Sequence, residues 1–118
     1  MDLYYKFEVD QNSIKIINNY NKLIALINLL NGGSLQHLNL NEIIVIEEKK
    51  EFAYSDSFAS ALLFPFVNRL KKGVYSFKNN YHQFPINESA GNAHHGVLYN
   101  KIFSFKDYFC KEDKAVII

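Results

Sequence analysis

Hydrophobic and polar residues alternate along much of this chain in short runs, the period of strands with one buried face. In the N-terminal segment Leu3, Tyr5, Phe7 and Val9 alternate with Tyr4, Lys6 and Glu8. "DQN" then supplies a turn and Ile14 and Ile16 resume the alternation, which predicts a first hairpin. "NEIIVIEE" is a compact β-branched strand, and "EEKKEFAYSDS" beyond it reads as a solvated connection. "GVYSFKNNYHQFPI" is the clearest hairpin, because Val74 to Phe77 and Tyr81 to Phe84 flank Asn79 and Asn80, residues that tolerate positive φ in a tight turn. One segment breaks the pattern: in "NYNKLIALINLLNGG" the residues Tyr20, Leu23, Ile24, Ile27 and Leu30 fall at helical spacing and the run ends in glycines suited to a helix cap. There the local pattern favours helix over strand.

Composition strengthens the β reading, since ten phenylalanines and eight tyrosines with no tryptophan suit pleated, half-buried surfaces. With 118 residues, and with no internal repeat or Pro/Gly/Ser linker, the chain is expected to form a single β domain over residues 1–118. A hydrophobic fraction of 48% with 21% charged residues is globular, and a net charge of +1 provides no field that would attract nucleic acid. The lone Cys110 excludes an internal disulfide, lies in no zinc-type Cys/His spacing, and reads as a small buried hydrophobe. "MDLYYKFEVD" lacks the basic residues and unbroken apolar block of a secretory signal, and no stretch is long enough to span a membrane. The expected setting is therefore cytoplasmic, with no membrane partner.

Candidate chemistry concentrates in "FASALLFPFVNRLKKGVYSFKNNYHQFPINESAGNAHHG", Phe58 to Gly96. Its end, "NESAGNAHHG", sets two of the four histidines side by side, His94 and His95, in a loop of small and polar residues. Taken alone this is a solvated loop or a site in equal measure. Arg69 follows an apolar block and Pro65 and sits beside Asn68 just before a strand; it fits a fixed polar pair, and equally an arginine bound to loop carbonyls. His37 and His82 lie on strands or their edges, with no role assigned beyond packing or exposure.

The ordered set of Asn-Arg, a basic turn with glycine, a strand-turn-strand, Asn87 and a Gly-Asn-x-x-His-Gly loop resembles the N-terminal part of the aldose 1-epimerase family, the galactose mutarotases. The resemblance covers roughly Gly32 to Phe103. It implies an all-β fold, an antiparallel β-sandwich of the galactose mutarotase type, present as an incomplete N-terminal portion. It also implies a strand from Leu23 to Leu30, against the helical period, because the family runs strands through the region before its Gly-Gly. In that family the Asn-Arg pair and the loop histidine line a sugar pocket, so the resemblance assigns substrate binding to Asn68, Arg69 and His95, with His95 also the candidate catalytic group. His94 stands where the family usually has an apolar residue, which makes it the spare histidine, a packing or surface substitution.

The implied activity is interconversion of the α and β anomers of an aldose. A proton leaves the anomeric hydroxyl, another reaches the ring oxygen, and the ring opens, rotates and recloses. A base and an acid must flank the sugar. Histidine, titrating near neutrality, suits the acid, and the planar fork of arginine suits sugar hydroxyls. The implied cofactor and metal requirement is none, and the implied partner is a monosaccharide. The family's glutamate base and second histidine lie far downstream of the loop histidine, with no matching motif in this chain, whose Glu112 and Asp113 fall in an expected turn before "AVII". That ending reads as a strand cut short, so self-association or a missing C-terminal segment is the expected remedy for an open sheet edge. Three function classes stay open: an isomerase represented by part of its site, a catalytically silent sugar-binding module, and a structural remnant that assembles by strand pairing.

Overall fold

The computed structural model describes residues 4–48, 51–111 and 114–118. Leu3 of the expected first strand, Lys49 and Lys50 of the expected connection, and Glu112 and Asp113 of the expected turn lie outside these. The chain divides into two compact units, one of residues 1–61 with 100–118 and one of residues 62–99.

The first unit is built on a five-stranded antiparallel meander in sequence order: β1 (Tyr5–Val9), β2 (Ser13–Asn18), β3 (Leu23–Asn28), β4 (Ser34–Leu40) and β5 (Ile43–Glu47). The expected first hairpin forms, with Tyr5 opposite Asn18 and Val9 opposite Ile14, and its turn is held by Asp10, whose carboxylate accepts the backbone N–H groups of Asn12 and Ser13 at 2.7 Å each. Across β2 and β3, Ile16 faces Ala25, and Ile14 and Ala25 are buried on the inner side of the pleat.

The segment with helical spacing is a strand. β3 is central, paired residue for residue with β2 from Leu23 to Asn28 and with β4 on its other side, so two ladders satisfy its backbone where a lone helix would satisfy only itself. It ends at Asn28, earlier than Leu30, because Leu29 to Gly33 form the turn in which Gly32 and Gly33 adopt φ of 66° and 65°. The solvated connection contains a single helical turn, α1 (Tyr54–Ser57), whose Tyr54 hydroxyl donates to the Asn31 carbonyl at 3.2 Å.

Further along, β10 (Tyr108–Cys110) pairs antiparallel with β11 (Ala115–Ile117). The apolar ending expected to lack a partner strand therefore has one, and beside the pair Lys111 N–H donates to the Lys114 carbonyl at 2.8 Å. Cys110, expected to be buried, is only half-buried, because its strand belongs to a two-stranded ribbon.

The second unit holds β6 (Arg69–Leu70), a 3-10 turn (Lys71–Gly73), β7 (Val74–Phe77), β8 (Asn80–Gln83) and β9 (Ala93–His94). β7 and β8 form the expected hairpin one residue out of the expected frame: Phe77 pairs with Asn80, so Lys78 and Asn79 are the turn, with φ of 48° and 61°. Positive φ at both central residues matches the right-handed twist of the flanking strands, and this moves Asn80 into the ladder and Phe84 out of it. Every named strand pair in both units is antiparallel, as the all-β reading requires.

Candidate functional site

The second unit brings Asn68, Arg69 and His95 together, and the device that does so is the two-residue pairing of β6 with β9. Arg69 lies opposite His94 and Leu70 opposite Ala93. Because neighbouring residues of a strand face opposite sides, Leu70 and the fully buried Ala93 take the inner face and Arg69 and His94 the other. On the Leu70 side lies an apolar cleft of about 260 Å³ lined by Pro65, Phe66, Leu70, Tyr75 and Phe84, and none of the polar candidates lines it.

His95 is fixed by a reciprocal contact with Asn68. Its backbone N–H donates to the Asn68 carbonyl at 2.9 Å, and the Asn68 backbone N–H donates to His95 Nδ1 at 3.1 Å. A ring nitrogen that accepts cannot carry the proton, so the neutral imidazole has its hydrogen on Nε2. Both residues adopt left-handed backbone, φ 67° at Asn68 and 61° at His95, a conformation in which Asn and His are enriched among non-glycine residues. The next residue explains the His-Gly pair: Gly96 has φ 72°, and a Cβ there would stand 1.9 Å from the Phe64 carbonyl oxygen. That oxygen is already the acceptor for Val97 N–H at 2.7 Å, so the loop passes flat against Phe64.

Among the described residues Arg69 is held by side chains rather than by loop carbonyls. Its Nε donates to both carboxylate oxygens of Glu88, at 2.8 and 3.0 Å, and Nη1 donates to Asn68 Oδ1 at 3.2 Å. Glu88 has only 13% of its side chain exposed, against 54% for Arg69. It also accepts from Asn92 Nδ2 at 2.6 Å, and Asn92 Oδ1 in turn accepts the Lys72 backbone N–H at 3.1 Å. The hydrogen bond from Asn92 first, and the Arg69 guanidinium after it, outweigh burial and hold the Glu88 carboxyl below its ordinary range. Asn87 brackets β9 from outside: its Nδ2 donates to the His94 carbonyl and to the Tyr99 hydroxyl at 2.8 Å each, and its Oδ1 accepts the His94 N–H at 2.6 Å.

His94 packs rather than standing apart, its ring stacked on that of His95 at 3.7 Å between centroids, with Nδ1 3.9 Å from Glu88 Oε2. Burial, then the positive charge of His94 when protonated and that of Arg69, push the His95 pKa below the usual histidine value, with Glu88 opposing. His95 is thereby kept a neutral donor through Nε2. Of the other histidines, His82 stacks on Tyr75 at 4.8 Å and His37 occupies the β4 ladder opposite Leu26 and Glu47.

Glu88 is the member of the cluster that the pattern of the chain did not disclose, and Asn92, the asparagine of the Gly-Asn-x-x-His-Gly motif, had no role assigned to it. Glu88 directly follows Asn87 in the motif loop, and its position one hairpin away from Arg69 was the available signal.

The sequence pattern of the aldose 1-epimerase family matches residues 13–116. Among solved structures, a galactose mutarotase-like protein from Clostridium acetobutylicum is 25% identical with a TM-score of 0.74, over 98% of this chain and 37% of that one. The chain thus spans well under half the length of that relative. No curated protein sequence matches it.

Proposed function

Because the chain belongs to the aldose 1-epimerase family, we propose that Asn68, Arg69 and His95 form one wall of a site that binds an aldose and assists exchange of its anomers. The observation that carries the reading is the Asn68–His95 pair: it locks Nδ1 as an acceptor and so places the ring proton of the neutral imidazole on Nε2. A neutral imidazole in that state suits a hydrogen bond to a sugar oxygen, where it stabilises negative charge as the ring opens. Arg69, held by Nε, offers the remaining edge of its guanidinium to hydroxyl groups. The base that takes the anomeric proton has no counterpart in this wall, and its source in this reading is a further polypeptide segment that completes the pocket.

A second reading rests on Glu88, the carboxylate of the wall, being already engaged by Arg69 and Asn92: the wall binds sugar without turning it over. Polarimetry of freshly dissolved α-D-glucose and α-D-galactose, with His95→Ala as the comparison, separates the two. Catalysis predicts a rate above buffer that His95→Ala removes. A rate equal to buffer with folded protein, together with saturable binding of either sugar, selects the binding module. Absence of both rate and binding rejects the sugar site altogether.

A further inference from the structure

Arg69 has the one guanidinium of the chain, and nothing in the sugar-wall reading explains why a carboxylate grips it by Nε. Glu88 is the better buried partner, so the arginine is brought to the glutamate rather than the reverse. The carboxylate is itself set in place from the side by Asn92, whose amide is anchored on the Lys72 backbone N–H. The turn that carries it is closed by Gly91 N–H donating to the Glu88 carbonyl at 3.1 Å and Asn87 N–H to the Asn92 carbonyl at 3.2 Å. Arg69 Nε and Nη1 are thus committed to Glu88 and Asn68, which leaves the Nη2 edge as the part these groups do not engage. A guanidinium paired in this way keeps its donors, but its net charge is cancelled within about 3 Å.

We propose that Glu88 is the positioning residue for Arg69: it fixes the aim of the Nη edge and, by cancelling the charge, prevents that edge from capturing an anion. The idea rests on the wall described above and adds a residue to it. An unpaired arginine at 54% exposure would take phosphate or carboxylate bidentately, the recognition for which its fork is best shaped. With Glu88 in place the same fork serves uncharged hydroxyls. Lys72 reaches the cluster through its backbone N–H, so the test must be read at Arg69 itself rather than as binding to the whole protein.

The experiment is an NMR titration of the full chain at pH 8, above the ordinary histidine range, following the Arg69 Nε–H signal while inorganic phosphate and, separately, D-galactose are added. In the unaltered protein the Nε–H signal is expected to be resolved and slowly exchanging, and phosphate should leave it in place. In Glu88→Gln, phosphate should move it with an affinity about tenfold higher, the ratio that one uncompensated charge near a surface produces. Glu88→Asp keeps the charge with a shorter reach, and should still exclude phosphate while letting the Nε–H exchange faster. A rapidly exchanging Nε–H in the unaltered chain, or phosphate affinity equal in the unaltered chain and Glu88→Gln, overturns the proposal. The galactose titration judges the sugar wall alone: its failure with the phosphate contrast intact removes the sugar reading and leaves the role of Glu88 standing.

Discussion

A Cβ on Gly96 would collide with a backbone carbonyl, which cannot swing aside as a side chain can. Gly96→Ala should therefore cost about 3 kcal/mol or more, the clash adding to the strain of φ 72°, and urea denaturation measures it. A loss under about 1 kcal/mol would mean the loop does not lie against Phe64 as described. Two neighbouring groups make stability depend on acid. The pKa of His95 is lowered on folding, so the unfolded chain takes up this proton more readily; stability from His95 is intact above 6.5 and falls as pH drops through 6.5 toward the lowered value. Glu88, also lowered, contributes above 4.5 and loses its contribution as pH falls from there toward its own lowered value. Denaturation midpoints of the unaltered chain and His95→Gln, compared between pH 7.5 and 5.5, should diverge in that sense, with the variant the flatter of the two. Parallel curves would refute the assignment of the shift to His95.

At the scale of elements, the β7–β8 hairpin shows how turn geometry chooses a frame. The two asparagines of "KNNY" point to a turn at Asn79 and Asn80, but the ladder with Phe77 opposite Asn80 makes Lys78 and Asn79 the central pair. Glycine is the favoured second residue of such a turn, so Asn79→Gly should be neutral or stabilise by about 0.5 kcal/mol, whereas Asn79→Val should cost about 1–2 kcal/mol. Equal thermal midpoints for the two variants would contradict this frame. β3 teaches the complementary lesson. Its apolar residues satisfy a helical and a pleated pattern at once, and pairing on both edges decides in favour of the strand.

At the scale of the molecule, β1 and β5 are the edges of the five-stranded sheet. β1 carries Lys6 and Glu8, paired at 2.9 Å, a charged edge of the kind that resists strand addition. β5 presents Ile43, Ile44 and Val45, each more than half exposed, next to a row of backbone groups without a neighbouring strand in the sheet. Association through β5 is the expected behaviour, and Ile44→Lys should lower it by placing a charge on that edge. Sedimentation velocity over a range of concentrations reads the effect; concentration-independent monomer in the unaltered chain would dismiss it.

The sequence by itself determined the β character and the first hairpin and nominated Asn68, Arg69 and His95, which the fold brings together, because alternation is a local property and the motif keeps its order along the chain. It determined the His-Gly pair without its reason, which is the approach of Gly96 to the Phe64 carbonyl across some thirty residues of chain. The local pattern favoured helix at β3 and only the resemblance implied a strand there; tertiary structure supplied the reason, pairing on both edges, and alone decided that "AVII" finds a partner and that Asn68 sets the tautomer of His95. It alone disclosed Glu88, since a carboxylate's partner depends on which strands are brought together, and the pairing of Arg69 with His94 fixes that in space rather than in sequence.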